Sequence, residues 1–287
     1  MADAADGMLR VRLRCPVCQQ ALSWVGSAAR CAQGHSFDVA REGYLNLLLS
    51  TQRSSKEPGD SPEMLRARRA FLDGGWFDPL VDALAETLEE QPEPLTLLDA
   101  GCGEGSTLGG LRQRLGPRVE AWGLDIARSG ARLAARRHAD ARFVVANLAH
   151  ELPFEDHSFD ALISLFAPRN APEFARVMAP GGLLQVVLPD DGHLRELRAQ
   201  LLSHEREQPD RTDELRQELG GWELAPPRHL RLQLDLDASA LAGLVAMTPL
   251  YWRSKPEARA RVEALDGLRV TAAFTIVAAR SPLRVAR

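Results

Sequence analysis

The stretch LTLLDAGCGEGSTLGGLRQRL, residues 95–115, carries the reading of the fold. Its apolar run Leu95–Leu98 reads as a buried strand, Gly101, Gly103 and Gly105 as a tight loop, and Leu108, Leu111 and Leu115 recur at helical spacing. Strand, glycine loop and helix in that order cradle nucleotide-like cofactors, because glycines let the backbone approach the ligand closely. Two details separate the candidate cofactors. A dinucleotide fingerprint has a third glycine where this chain has Ser106, and it sets a pyrophosphate over the loop, where the Asp99 carboxylate would repel it. S-adenosylmethionine has no phosphate and carries an ammonium and a sulfonium, which a carboxylate at the strand end attracts.

Downstream, VEAWGLDIA (119–127) is a second apolar strand ending in Asp125. An acid there can accept both ribose hydroxyls, although Asp125 also precedes a helical stretch it could cap. Residues 141–168 give strand three (Phe143 to Ala146), a loop and strand four (Asp160 to Leu165). Asn147 and Leu148, just past strand three, fall where the adenine would lie, and Leu148 serves equally as a core residue. PGGLLQVVLPDDGHLRELR (180–198) supplies a turn, a fifth strand and a helix, while HLRLQLDLD and GLRVTAAFTIVAA read as the last two strands. Strands alternating with helices predict an α/β, Rossmann-like, doubly wound sheet with its ligands at the carboxyl ends of the strands.

Near the N-terminus, CPVCQQALSWVGSAARCAQGH spans residues 15–35. Cys15 and Cys18 lie two residues apart, Cys31 and His35 three, with a twelve-residue loop between the pairs. Two such bites can close a tetrahedron around Zn2+, and four protein ligands make the site structural. Two buried thiols and a chance histidine are the bland alternative. The cysteine usage suits a reducing compartment rather than a disulfide framework.

The chain of 287 residues is 45% hydrophobic and 26% charged, enough for a large domain with a small one. No apolar run is long enough to span a bilayer, so no membrane partner and a cytoplasmic location are expected. The net charge of −4 excludes nonspecific coating of nucleic acid, and any such partner must meet local patches. Arg53, Lys56, Arg66, Arg68 and Arg69 form one basic cluster, and Arg128, Arg132, Arg136 and Arg137 share one helix face. Trp24, Phe37 and Tyr44 are candidate stacking platforms for unpaired bases, against a default role in the core. The chain divides into a zinc module (1–40), a helical connector (41–75) with Asp60 or Ser61 as helix cap, and a catalytic domain (76–287). The charged segment from Arg195 to Gly220 is expected to be helical and to cover the cofactor.

The glycine loop, Asp125 and LPFEDHSFDALIS (152–164) resemble a class I S-adenosylmethionine-dependent methyltransferase. The cysteine and histidine spacing, FDVAREGYLNLL (37–48), PGDSPEMLRARRAFLDGG (58–75) and MTPLYWR (247–253) more specifically resemble the RlmA family. That resemblance implies methyl transfer to N1 of a guanosine in a hairpin of 23S ribosomal RNA, a zinc module that reads the RNA, and often a homodimer. It also implies cofactor contacts at Phe77, Thr107, Leu108 and His193. N1 of guanine carries a proton that some group must accept, and Asp190, Asp191 and His193 follow strand five at the catalytic edge. The aspartates serve equally as caps of the next helix. Two other readings share parts of this pattern. A small-molecule methyltransferase acting on quinone-like substrates would have the glycine loop and the LPF run without needing the module. A noncatalytic RNA binder would not need Asp99, the glycine loop and Asp125.

Overall fold

The computed structural model describes residues 10–53, 55, 58–202 and 211–283; Lys56 and Pro209 lie outside them. The first described elements are three short strands, β1 (Ser23–Val25), β2 (Ala28–Arg30) and β3 (Ser36–Asp38), which form an antiparallel sheet of their own. The next strand, β4 (Tyr44–Asn46), pairs in parallel with a strand far along the chain and so joins the main sheet.

Helices α1 (Pro62–Asp73) and α2 (Asp78–Glu89) follow. Ser61 caps α1, its side chain accepting from the Met64 N–H, and Pro62 occupies the first turn where no N–H is needed. The apolar stripe Leu80, Val81, Leu84 and Leu88 buries α2 against the sheet. Then come β5 (Leu95–Ala100), α3 (Ser106–Leu115), β6 (Val119–Asp125), α4 (Arg128–Arg137), β7 (Arg142–Val145), β8 (Phe159–Leu165), α5 (Ala171–Val177) and β9 (Met178–Pro189). All six residues of β5 are buried, as a strand covered on both faces requires. The remainder is α6 (Arg195–Leu201), α7 (Thr212–Glu218), β10 (Glu223–Leu224), β11 (Arg228–Asp237), α8 (Ala238–Ala246), α9 (Pro249–Arg253), α10 (Pro256–Glu263) and β12 (Gly267–Arg280).

The main sheet runs β10-β12-β9-β8-β5-β6-β7-β4, with β11 also on β12. Its centre is parallel, and β12 runs antiparallel to both β9 and β11, so the last two long strands form the expected antiparallel pair. Crossovers from β5 proceed to β6 on one side and return to β8 on the other, which opens a crevice beyond the carboxyl ends of these strands.

Two apolar cores cover the two faces. One gathers α1, α2, α3 and α8 around residues such as Phe71, Leu84 and Leu244. In the other, Val11, Leu13, Cys15, Leu22, Ala29 and Cys31 of the N-terminal segment share a core with Leu98, Trp122, Phe154 and Phe159 of the sheet. The docking continues through backbone hydrogen bonds, from the Arg14 N–H to the Pro153 carbonyl and from the Glu155 N–H to the Arg12 carbonyl, both 3.0 Å. Among the described residues no helix is long and apolar enough to cross a membrane.

Candidate active site and zinc cluster

Cys15, Cys18, Cys31 and His35 converge, their ligand atoms all within 4.8 Å of one another. The Cys18 and Cys31 sulfurs lie 3.6 Å apart, and His35 Nδ1 lies 3.6 Å from the Cys15 sulfur and 3.3 Å from that of Cys31. A tetrahedral Zn2+ with bonds of about 2.0–2.3 Å sets its ligands roughly 3.3–3.8 Å apart, so the donor set fits the ion in both chemistry and span. Hydrogen bonds position it: the Gln19 N–H donates to the Cys15 carbonyl and the Gly34 N–H to the Cys31 carbonyl, closing both bites.

The second site is a cavity of about 590 Å³ in the crevice beyond the parallel strands, within the usual range for a bound cofactor. The loop after β5 is the floor. Gly101 has φ +97°, and a Cβ there would stand 2.4 Å from the Ala167 Cβ, so only glycine fits between the two loops. Asp99, Gly101, Thr107, Asp125, Asn147, Leu148, Phe77 and His193 all line this cavity. Gly103 and Gly105 shape the loop from outside the lining. Leu108 is fully buried in the core beneath α3, with no lining surface.

Asp125 does not cap α4, whose N-cap is Ala127; its Oδ1 accepts from the Ala127 N–H at 2.7 Å and its Oδ2 from the Gly103 N–H of the glycine loop at 2.8 Å. These hold the carboxylate rigid and leave each oxygen a lone pair for a ligand hydroxyl. Asn147 is tied on both ends, Nδ2 donating to the Gln52 carbonyl at 2.9 Å and Oδ1 accepting from the Ala149 N–H at 2.9 Å. The segment after β4 is thereby bound to the loop after β7.

The expected bases separate. Asp190 turns away from the cavity, its Oδ2 lying 2.9 Å from His229 Nδ1 on β11, and Asp191 is exposed. Neither lines the cavity, because the turn after β9 runs back toward β11. His193 does line it. Its Nδ1 is 2.8 Å from the Ala273 carbonyl oxygen, and burial pushes the imidazole down to about 4. Nδ1 also lies 3.2 Å from the Ala273 N–H; in the tautomer that the shorter contact favours, with Nδ1 donating to the carbonyl, Nε2 is left as an acceptor.

Several lining groups were not foreseen. Glu104 is buried, and its Oε2 has no hydrogen-bond partner. Arg68 and Asp60 form an ion pair over the glycine loop, where a Gly103 Cβ would meet the Arg68 guanidinium at 3.0 Å. Phe166 and Met247–Pro249 complete the wall. Position could have pointed to Phe166, which directly follows a parallel strand at its carboxyl end. Nothing local marked Glu104 beyond its place in the loop. The segment expected to cover the cofactor does not reach it among the described residues. Glu196 instead accepts from the Thr271 N–H and hydroxyl, which pins α6 to β12.

Charge completes the picture. Among the described residues that line the cavity, Asp60, Asp99, Glu104 and Asp125 meet one cation, Arg68, which is paired with Asp60, while Asp78 at the rim is exposed and pairs with Arg114. Burial first, then the charges of Asp125 and Glu104, holds the Asp99 carboxyl well above the usual range. Burial also raises Asp125, offset by its two N–H donors. A buried surplus of carboxylates with an orphan oxygen lacks a cation, and a ligand bearing ammonium and sulfonium groups supplies it. The residues present therefore fit S-adenosylmethionine.

Known proteins agree with this geometry. Residues 13–56 match the family described as "RlmA, N-terminal", a zinc ribbon, and residues 97–182 match a "Methyltransferase domain". The chain is 36% identical to the 23S rRNA (guanine(748)-N(1))-methyltransferase of Streptomyces fradiae over 93% of its own length and 96% of that protein.

The chain belongs to this family.

Its methyltransferase portion is also 35% identical to a demethylmenaquinone methyltransferase of Thermotoga maritima, over 37% of this chain and 44% of that protein. Among solved structures, one described as "Conversion of a Disulfide Bond into a Thioacetal Group during Echinomycin Biosynthesis" superposes with a TM-score of 0.51 at 18% identity. It covers 72% of this chain and 83% of that one. That likeness bears on the fold alone. The family carries a structural zinc and uses S-adenosylmethionine, and the fold is the class I methyltransferase sheet with a small zinc module.

Proposed function

We propose that this protein transfers a methyl group from S-adenosylmethionine to N1 of a guanosine in a hairpin loop of 23S ribosomal RNA. The observation that carries the reading is the docking of a complete Cys3His cluster onto the same sheet that forms the cation-seeking cavity. A quinone-type enzyme accounts for the cavity and leaves the module without a task. Residues 1–40 serve as the RNA-recognition module, 41–75 as connector and 76–287 as catalytic domain. Assembly as a homodimer and a cytoplasmic location belong to the same reading.

When bound, S-adenosylmethionine supplies the methyl group and leaves as S-adenosylhomocysteine. Asp99 and Glu104 hold the cationic amino acid end by charge, while Gly101 lets it approach the loop. Asp125 accepts from the ribose hydroxyls with the lone pairs its two backbone bonds leave unused. Asn147 and Leu148 bound the adenine, and Phe77 and Thr107 close the walls. Cys15, Cys18, Cys31 and His35 hold the zinc. Of the three groups weighed as acceptor for the N1 proton, His193 is the one at the cavity wall, and its neutral Nε2 can accept a hydrogen bond there. Exposed Arg132 and Arg136 on α4 suit phosphate contacts. By contrast Arg66, Arg68 and Arg69 are paired with Glu63, Asp60 and Asp73.

The test is labelled methyl transfer to 23S ribosomal RNA from cells lacking the gene, followed by nucleoside analysis. A single N1-methylguanosine is expected. No incorporation, or label on another atom, would overturn the reading.

A further inference from the structure

Phe166 is out of place for an aromatic residue. It is 49% exposed, although it sits at the end of the buried strand β8, and it lines the cofactor cavity. Its backbone lies in the left-handed region at φ +54°, a conformation a side chain with a Cβ rarely adopts. Four non-glycine residues do so among those described, and two of them, Phe166 and Leu194, line this cavity. Strain of this kind persists where the surroundings over-determine it, and it is concentrated at ligand-handling positions.

The surroundings here are specific. The Phe166 N–H donates to the Val187 carbonyl, fixing the residue to β9. Its ring is backed by His193 at 5.8 Å and Phe274 at 6.0 Å between centroids, and Phe274 in turn meets Phe77 edge-on at 5.1 Å. The next residue, Ala167, abuts Gly101 of the cofactor loop. An aromatic ring is thus held partly in solvent, supported from behind by two rings with a third packed behind them, one residue from the contact with the cofactor floor. Chemistry on N1 requires a base whose Watson–Crick edge is free and turned toward the methyl donor, and a loop base reaches that pose by leaving its stack. An extruded purine leaves water most readily onto an aromatic face.

We infer that Phe166 is the stacking platform for the extruded guanine, setting its N1 edge between the cofactor cavity and His193. This rests on the methyltransferase reading above. The alternative occupant of the same ring is the cofactor itself, and the experiment separates the two.

Wild-type protein is first incubated with 23S ribosomal RNA; failure to methylate it overturns the function reading and this seat together. With an RNA fragment that the wild type does methylate, kcat/KM is compared for Phe166→Ala, Phe166→Leu and Phe166→Tyr, alongside calorimetric affinity for S-adenosylhomocysteine. Stacking predicts a loss of about tenfold to a hundredfold for alanine, a similar loss for leucine and recovery of most of it by tyrosine. Cofactor affinity stays within about twofold throughout, which also shows that the variants fold. Full turnover by the alanine variant, equal rescue by leucine, or a fall in cofactor affinity matching the fall in turnover would each overturn the assignment.

Discussion

The zinc cluster draws its four ligands from a single run of 21 residues, Cys15 to His35, whereas the cofactor cavity draws its acids from Asp60, Asp99, Glu104 and Asp125, spread over three helices' worth of chain. Both bury groups that prefer water. In the module each ligand completes its coordination around one ion, so the cost of burial is offset within the protein. In the cavity burial, and then the charges of Asp125 and Glu104, raise Asp99, and the compensation comes from a ligand that arrives and leaves. The first arrangement suits a shape that must persist, the second a site that must turn over. Both rest on one sheet, the module on a face and the cavity at the strand ends.

The strongest way to break this comparison is to remove the ion. Cys15→Ser with Cys18→Ser should release zinc, unfold the module's local hairpins and abolish RNA methylation, since structural zinc contributes folding energy directly. The melting temperature should fall as well, because Cys15 and Leu13 belong to the core under β5 and β6. Cofactor affinity, measured by calorimetry below that transition, should stay within a few fold. Should RNA binding persist while cofactor affinity collapses, the module is a buttress of the catalytic sheet rather than a reader of RNA.

A smaller effect is expected at Asp125. Replacement by alanine should weaken S-adenosylmethionine binding by roughly 1–3 kcal/mol, the usual cost of deleting a buried charged acceptor. Unchanged affinity would mean that its two bonds to the Gly103 and Ala127 N–H groups are its whole role.

Asp99 sharpens the contrast, because there stability and binding should move in opposite directions, and Glu104 tests which end of the ligand the acids hold. Burial holds the Asp99 carboxyl well above its ordinary value, so between the two values the unfolded chain is ionised while the folded one keeps the proton. Stability from this group is therefore present at low pH and lost as pH rises. Asp99→Asn should increase the melting temperature of the cofactor-free protein at neutral pH, with the gain shrinking toward pH 4, and reduce cofactor affinity. Glu104→Gln should weaken S-adenosylmethionine and S-adenosylhomocysteine and leave 5′-methylthioadenosine, which lacks the amino acid end, unaffected. Equal weakening of all three ligands would make Glu104 a structural residue.

How legible these features were depends on the range over which they are encoded. The zinc ligands, the glycine loop and the ends of β5 and β6 are local: short spacings and apolar runs dictate them, and Ser61 with Pro62 marks the start of α1. What escaped was set by tertiary contact. Tyr44 looked like a stacking platform or a core residue; it is buried, its hydroxyl accepts from Arg128, and its strand β4 extends the sheet through β7. Asp190 and Asp191 sit at the right place in the chain, yet the turn aims Asp190 at His229. Met247 reaches the cavity from a segment whose direction no local pattern fixes, whereas the place of Phe166 after a parallel strand was legible and its left-handed backbone was not.

The least effect is expected where the module meets the sheet through charge. Arg10 donates to Asp160 at 2.9 Å, and its N–H donates to Glu120 at 3.0 Å. The pair looks like a clamp between the N-terminal segment and two strands, but the Arg10 side chain is 47% exposed, so water and salt screen it. Asp160 also accepts from the Thr96 N–H and hydroxyl at 2.9 and 2.8 Å, and keeps both bonds if the arginine is lost. Arg10→Ala should therefore cost at most about 1 kcal/mol in denaturant unfolding, shrinking further in salt. Leu13→Ala, which deletes a fully packed side chain at the same seam, should cost about 2–5 kcal/mol. If the arginine variant proves the more damaging of the two, the module is held by charge rather than by a shared core, and the two regions are less alike in their anchoring than the packing indicates.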